Sequence, residues 1–190
     1  MVYHVVGEMV GFAGKDIDLT AKKPWLYLIA EFSHGILYIG ETHDRGGLLT
    51  RLGSHFGPEP ESSLRRNARV IAGVGRLAPP YSIFAGKLPA DEANTAFSGE
   101  SKQARRLVEA LAHQIVFERF LSKGPKAPNG RIWTIVSRGD RGSAPMSTVA
   151  REISYEFITE FLRRFPMMQD LSYAVPLKIN ILDYVAQFTD

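Results

Sequence analysis

The chain has 190 residues, enough for one domain with an appended piece, and at 45% hydrophobic it can bury a core without covalent staples. It contains no cysteine, which excludes disulfides and thiolate metal sites. A net charge of +3 is compatible with a polyanionic partner and does not by itself point to one.

The first twenty residues hold one β-like run, Val2–Val6, then a glycine-rich patch ending near Lys15. They lack the basic start and apolar core of a signal peptide. No apolar run in the chain approaches the roughly 20 residues of a membrane span, so a cytoplasmic setting is expected. Residues 25–31 (WLYLIAE) are apolar and aromatic almost throughout, as in a strand buried on both faces. Ser33-His34-Gly35 reads as a turn, and residues 36–41 (ILYIGE) as the returning strand of a hairpin. After Gly46-Gly47 the segment LLTRLGSHF reads as a helix with Leu48, Leu52 and Phe56 on one face. Gly57 and Pro58 end it, and residues 62–72 form a short basic helix. YSIFAGKL supplies a third strand.

A long helix follows near residues 101–121, apolar over most of its circumference, with Lys102, Arg105, Glu109 and His113 as a polar stripe. Residues 131–137 read as a fourth strand, and 147–164 as an amphipathic helix carrying Val149, Ile153, Phe157 and Phe161 on one side. The tail LKINILDYVAQF reads as either a strand or a short helix. The order predicts an α+β fold: a small antiparallel or mixed sheet flanked by helices, with a C-terminal helical extension.

Several polar residues stand out against this frame. Tyr27 and Tyr38 lie on the two strands of the hairpin, where cross-strand residues can share a face; tyrosine is also common in strands simply because it packs well. Arg51 and His55 sit one turn apart beside the apolar stripe of the first helix. Arginine is the natural phosphate ligand, because its planar fork bonds two oxygens at once. Glu109 sits mid-helix in apolar surroundings and needs a partner: Arg105 and His113 as an ion-pair network, or a hard cation such as Mg²⁺, which takes only one or two carboxylates. No zinc signature is present.

The segment from Pro24 to Phe56 resembles the opening of the GIY-YIG nuclease domain found in excision-repair subunits and in homing and restriction endonucleases. The first motif stands as Trp25-Leu26-Tyr27, with Trp and Leu in place of Gly and Ile; the second is intact as Tyr38-Ile39-Gly40. Thr42 and Asp44 resemble the usual continuation, and Arg51-Leu52 with His55 the RLxxH-like helix. LVEALAHQIVFE resembles the family's glutamate helix, which places Glu109 at the metal position, with Glu118 as the other carboxylate on that helix. Asn129 resembles the asparagine that closes the domain.

The resemblance implies a nuclease domain over residues 22–135, with an insertion at 57–100 and an extension at 136–190 packed on the same domain. It implies an Mg²⁺- or Mn²⁺-dependent DNA endonuclease, with Tyr27, Tyr38, Arg51, His55, Glu109 and Asn129 in the site and the metal on Glu109. Arg65, Arg66 and Arg69 are then the foremost candidates for contacts to the DNA backbone. Recognition would fall to the 57–100 segment and the C-terminal part, and a homodimer is compatible with this reading. The alternative is a non-catalytic nucleic-acid-binding module on the same fold.

Overall fold

A computed structural model describes residues 2–6, 11–12, 18–57, 62–77, 81–90, 97–121, 133–137, 139, 147–164 and 174–176. Asn129 and the segment 177–188 lie outside the described residues, as does the side chain of Glu118.

The molecule is an α+β protein built on one mixed sheet. Its strands are β1 (Val2–Val6), β2 (Gly11–Phe12), β3 (Trp25–Glu31), β4 (Ile36–Thr42), β5 (Tyr81–Lys87), β6 (Trp133–Ile135) and β7 (Ala174–Pro176). They run in the spatial order β2-β1-β5-β3-β4-β6-β7. Four helices, α1 (Gly47–Phe56), α2 (Ser63–Ala72), α3 (Lys102–Leu121) and α4 (Thr148–Arg164), complete the described elements.

β3 is central and pairs antiparallel with both β4 and β5 over its whole length. That position explains why all seven of its residues are buried, including Glu31. The Glu31 carboxylate accepts the backbone N–H groups of Ser33 and His34 and so fastens the hairpin turn from inside. The segment expected to be an insertion, 57–100, contributes α2 and β5, and β5 lies between β1 and β3 inside the sheet.

Side chains alternate across the sheet. Leu26, Leu28, Ala30, Leu37, Ile39 and Phe84 face one layer, where α3 supplies Leu107, Val108, Leu111 and Val116. α4 packs behind with Phe157, Ile158 and Phe161, and its Ser154 hydroxyl donates to the Val108 carbonyl at 2.9 Å. The opposite layer collects Trp25, Tyr27, Ile29, Ile36 and Tyr38 under α1 and α2. Here α2 is held by buried Leu64 and Ala68, and its Asn67 side chain donates to the Val136 carbonyl at 2.7 Å.

One helical stripe differs from its expectation. The buried positions of α1 are Gly47, Leu48, Leu52 and His55; Phe56 is 37% exposed and packs beside Tyr81. The helix has rolled so that an imidazole, and not a phenyl ring, meets the sheet. The stripe on α3 also turns inward: Arg105 and His113 are buried, and only Lys102 stays in solvent with Glu109 half covered.

Candidate active site

The register pairs Tyr27 with Gly40 and Ile29 with Tyr38, so the two tyrosines stand two residues apart on one face. Their rings stack with centroids 6.2 Å apart. Gly40 makes this possible: a Cβ there would fall 2.5 Å from the Tyr27 oxygen and 2.9 Å from the Tyr38 ring. The glycine of the Tyr-Ile-Gly motif is therefore a steric requirement of the tyrosine opposite it.

The helix above supplies polar partners. His55 Nε2 lies 2.8 Å from the Tyr27 hydroxyl, and Arg51 Nε donates to the same oxygen at 3.1 Å. The His55 ring is also edge-on to Tyr38, with centroids 4.9 Å apart. Arg51 is only a donor, so the Tyr27 oxygen accepts from it; the Tyr27–His55 bond runs in either direction according to the imidazole tautomer. His55 Nδ1 is a buried atom with no hydrogen-bond partner among the described residues. Burial, with the Arg51 and Arg65 charges beside it, pushes the His55 pKa down to about 3, so the ring is neutral.

Tyr27 is fully buried, and burial raises its pKa well above 10; Tyr38 and Glu109 add to this and Arg51 opposes it. Burial raises Tyr38 too, against the Ser63 hydroxyl and the nearby Arg51 charge. Burial works against the charge on Arg51, yet Tyr27, Tyr38 and Asp44 hold its pKa above the ordinary value.

Glu109 comes from the helix on the other face of the sheet, and still its charge acts on both tyrosines. β6 pairs only with Ile36 and Leu37, and the Ile39 N–H donates to the Ser137 hydroxyl, so no described strand covers Gly40–Thr42 on that side. Arg105 bonds Glu41 at 2.5 Å and the carbonyls of Gly99 and Glu100. His113 is kept neutral by burial, which takes its pKa down to about 4.

Tyr27, Tyr38, Arg51 and His55 thus converge; Glu109 stands on α3, and its charge raises the pKa of both tyrosines, while Asn129 lies outside the described residues. The three arginines of α2 divide. Arg65 donates to the Gly57 carbonyl and is half-buried, which ties it to the end of α1, whereas Arg66 and Arg69 are exposed. Sequence reasoning missed Ser63, whose hydroxyl lies 2.9 Å from that of Tyr38. The consecutive serines at the start of a helix were the available signal: Ser62 caps α2 by accepting the Arg65 N–H, and Ser63 is then its first residue.

A single half-buried carboxylate suits Mg²⁺ in kind, since that ion takes one or two carboxylates and keeps most of its waters. It does not fit zinc: no group of three His, Cys, Asp or Glu side chains is assembled among the described residues. Comparison with protein-family models, with curated proteins and with solved structures returns no match to this chain. Among the described residues, no helix is long and apolar enough to cross a membrane.

Proposed function

We propose that this chain is a metal-dependent endonuclease that hydrolyses DNA phosphodiester bonds. The observation that carries the reading is the Tyr27 hydroxyl, held between the Arg51 guanidinium and a neutral, buried His55, with Tyr38 stacked on it and the Glu109 charge in range. A structural tyrosine needs one hydrogen-bond partner; this one has two, and both come from a helix whose remaining buried positions are apolar or glycine.

Tyr27 stays protonated at neutral pH, so it serves as a relay and not as a pre-formed phenolate. The attacking water gives a proton to the Tyr27 oxygen as Tyr27 passes its own to His55 Nε2. The hydroxide so formed bonds to phosphorus, and the P–O bond to the 3′ oxygen breaks. Arg51 neutralises the non-bridging oxygens. The negative charge of the bound phosphodiester offsets Arg51 and makes His55 a better proton acceptor than in the free protein. Glu109 would hold Mg²⁺, which when bound supplies Lewis-acid stabilisation of the leaving oxygen. Exposed Arg66 and Arg69 contact the DNA backbone.

The test is Glu109→Gln, which keeps the shape and removes the charge. Plasmid cleavage with Mg²⁺, DNA affinity over a salt series and melting temperature are measured on one preparation. The expected outcome is cleavage reduced by at least about 100-fold, comparable with loss of an electrostatic catalytic group. DNA affinity should be equal or higher, and the melting temperature unchanged. A stable Gln variant that still cleaves removes Glu109 from the site.

A further inference from the structure

The last two side chains of α1 have opposite fates. His55 is fully buried against Tyr27, whereas Phe56, the next residue and about 100° further round the helix, is 37% exposed. The Phe56 ring leans on Tyr81, with centroids 4.8 Å apart and planes tilted by 53°. Tyr81 is itself only half-buried, at the start of β5, and neither ring belongs to the buried cluster beneath α1 and α2. The pair is a small aromatic surface beside the candidate site.

The ground around it carries one sign of charge. α1 and α2 together contain Arg51, Arg65, Arg66 and Arg69 and no aspartate or glutamate. α4, which packs on the other side of the sheet, contains three arginines and three glutamates. Arg65 donates to the Gly57 carbonyl and the Ser62 hydroxyl to the His55 carbonyl, so the start of α2 abuts the end of α1 where Phe56 sits. From there Arg66, Arg69 and Val70 follow along the exposed side of α2.

Arginines that track a backbone, with an aromatic ring at one end of the track, suit a nucleic-acid strand, because every base has a π-face to stack. An acidic protein segment would match the charge without needing the ring. Inside a duplex each base is covered by its stacked neighbours, so an aromatic side chain can take only a base that has left the stack.

We propose that Phe56, backed by Tyr81, is a stacking platform for an unpaired base, and that the substrate is a nucleic acid with a single-stranded segment beside the bond to be cut. The base lies on Phe56 while the neighbouring phosphate meets the cluster that begins at the adjacent His55. The cut beside that base rests on the nuclease reading above; the stacking does not, and the two are tested separately.

Stacking is tested by fluorescence anisotropy without Mg²⁺, so that cleavage does not enter. The probes are an oligo-dT strand of about 12 nucleotides, an abasic strand of the same length and a blunt duplex. Phe56→Leu keeps an apolar side chain over Tyr81 but has no π-face. It should bind oligo-dT about tenfold more weakly, the scale of one stacked base, and bind the abasic strand and the duplex as the wild type does. Phe56→Trp should bind oligo-dT at least as tightly as the wild type. Equal weakening on all three probes, no weakening on oligo-dT, or a Trp variant as weak as Leu overturns the platform. Arg66→Ala with Arg69→Ala should weaken all three probes and lower the salt slope, by about 0.7 per lost contact on the single strands. An unchanged slope overturns the path of the strand along α2.

Adding Mg²⁺ separates the two readings. A wild type that binds as expected but cuts nothing sinks the nuclease reading and leaves the platform standing. Cleavage of oligo-dT at one rate by wild type and Phe56→Leu, with equal binding, does the reverse.

Discussion

The same two strands build two unlike layers. On the α3/α4 side, Leu26, Leu28, Leu37, Ile39 and Phe84 meet helix residues that are almost all aliphatic or aromatic. On the α1/α2 side, Tyr27 and Tyr38 meet His55, Arg51, Ser63 and a nearby Asn67. A close-packed apolar layer tolerates loss of volume poorly. A layer laced with hydrogen bonds holds side chains at fixed directions, and every deletion leaves a partner stranded. One layer holds the molecule together, and the other can afford the polar groups that chemistry needs because the first exists.

The largest effect on stability should come from the apolar layer. Phe84 is fully buried, with its ring centroid 5.1 Å from that of Phe157 and 5.6 Å from that of Phe161. Phe84→Ala should cost about 3–5 kcal/mol through lost burial and a residual cavity. Urea denaturation measures this; a loss below about 1 kcal/mol would mean that the layer collapses onto the gap and is not the rigid side of the comparison.

Tyr27→Phe probes the other layer. The ring and its stacking on Tyr38 survive, but buried His55 loses the partner of its Nε2 atom. The expected stability loss is about 1–3 kcal/mol, the cost of an unsatisfied buried polar group. On the proposed mechanism cleavage should fall at least about 100-fold, because Phe has no oxygen to relay the proton. Full activity in this variant would make the Tyr27–Arg51–His55 cluster a structural device.

The apolar layer was legible in the sequence because it rests on periodicity. The continuous apolar runs WLYLIAE and ILYIGE mark strands buried on both faces, the spacing at 147–164 marks a helix, and the hairpin, α2, α3 and α4 fell where expected. The polar layer was partly legible. Tyr27, Tyr38, Arg51 and His55 were named through the resemblance of their segment to nuclease motifs, but the roll of α1 that buries His55 and leaves Phe56 half in solvent is not written there. Phenylalanine is the more hydrophobic choice; the position is decided by the hydrogen bond that only Tyr27 offers, a tertiary contact 28 residues away. Ser63 was invisible for a similar reason. Its role depends on how a second helix docks, fixed by Asn67 and Val136, 69 residues apart. That 57–100 carries an interior strand also escaped the reading, since strand order in a sheet is not written in local pattern.

The smallest expected effect is a pH dependence that tests whether the two layers are equally dry. Each contains one buried neutral histidine: His55 against the tyrosines, with a pKa near 3, and His113 on α3, with a pKa near 4. In the unfolded chain both titrate at about 6.5. Below that pH the unfolded state binds protons that the folded state refuses, so stability is fully present above about pH 6.5 and falls as pH drops towards the folded values. Each histidine adds a slope of about 1 kcal/mol per pH unit in that window. Carboxylates contribute as well at the acid end, so the comparison is made by difference. His55→Gln, whose side-chain oxygen can still accept from Tyr27, should remove one histidine's share of the slope between about pH 6.5 and 4 and leave the other. His113→Gln should do the same from the opposite layer. Denaturant midpoints over that pH range measure both. If His55→Gln leaves the slope unchanged while His113→Gln halves it, water reaches the imidazole on the α1 side. The unpartnered His55 Nδ1 atom would then be served by solvent, and the tyrosine layer would be the wetter of the two.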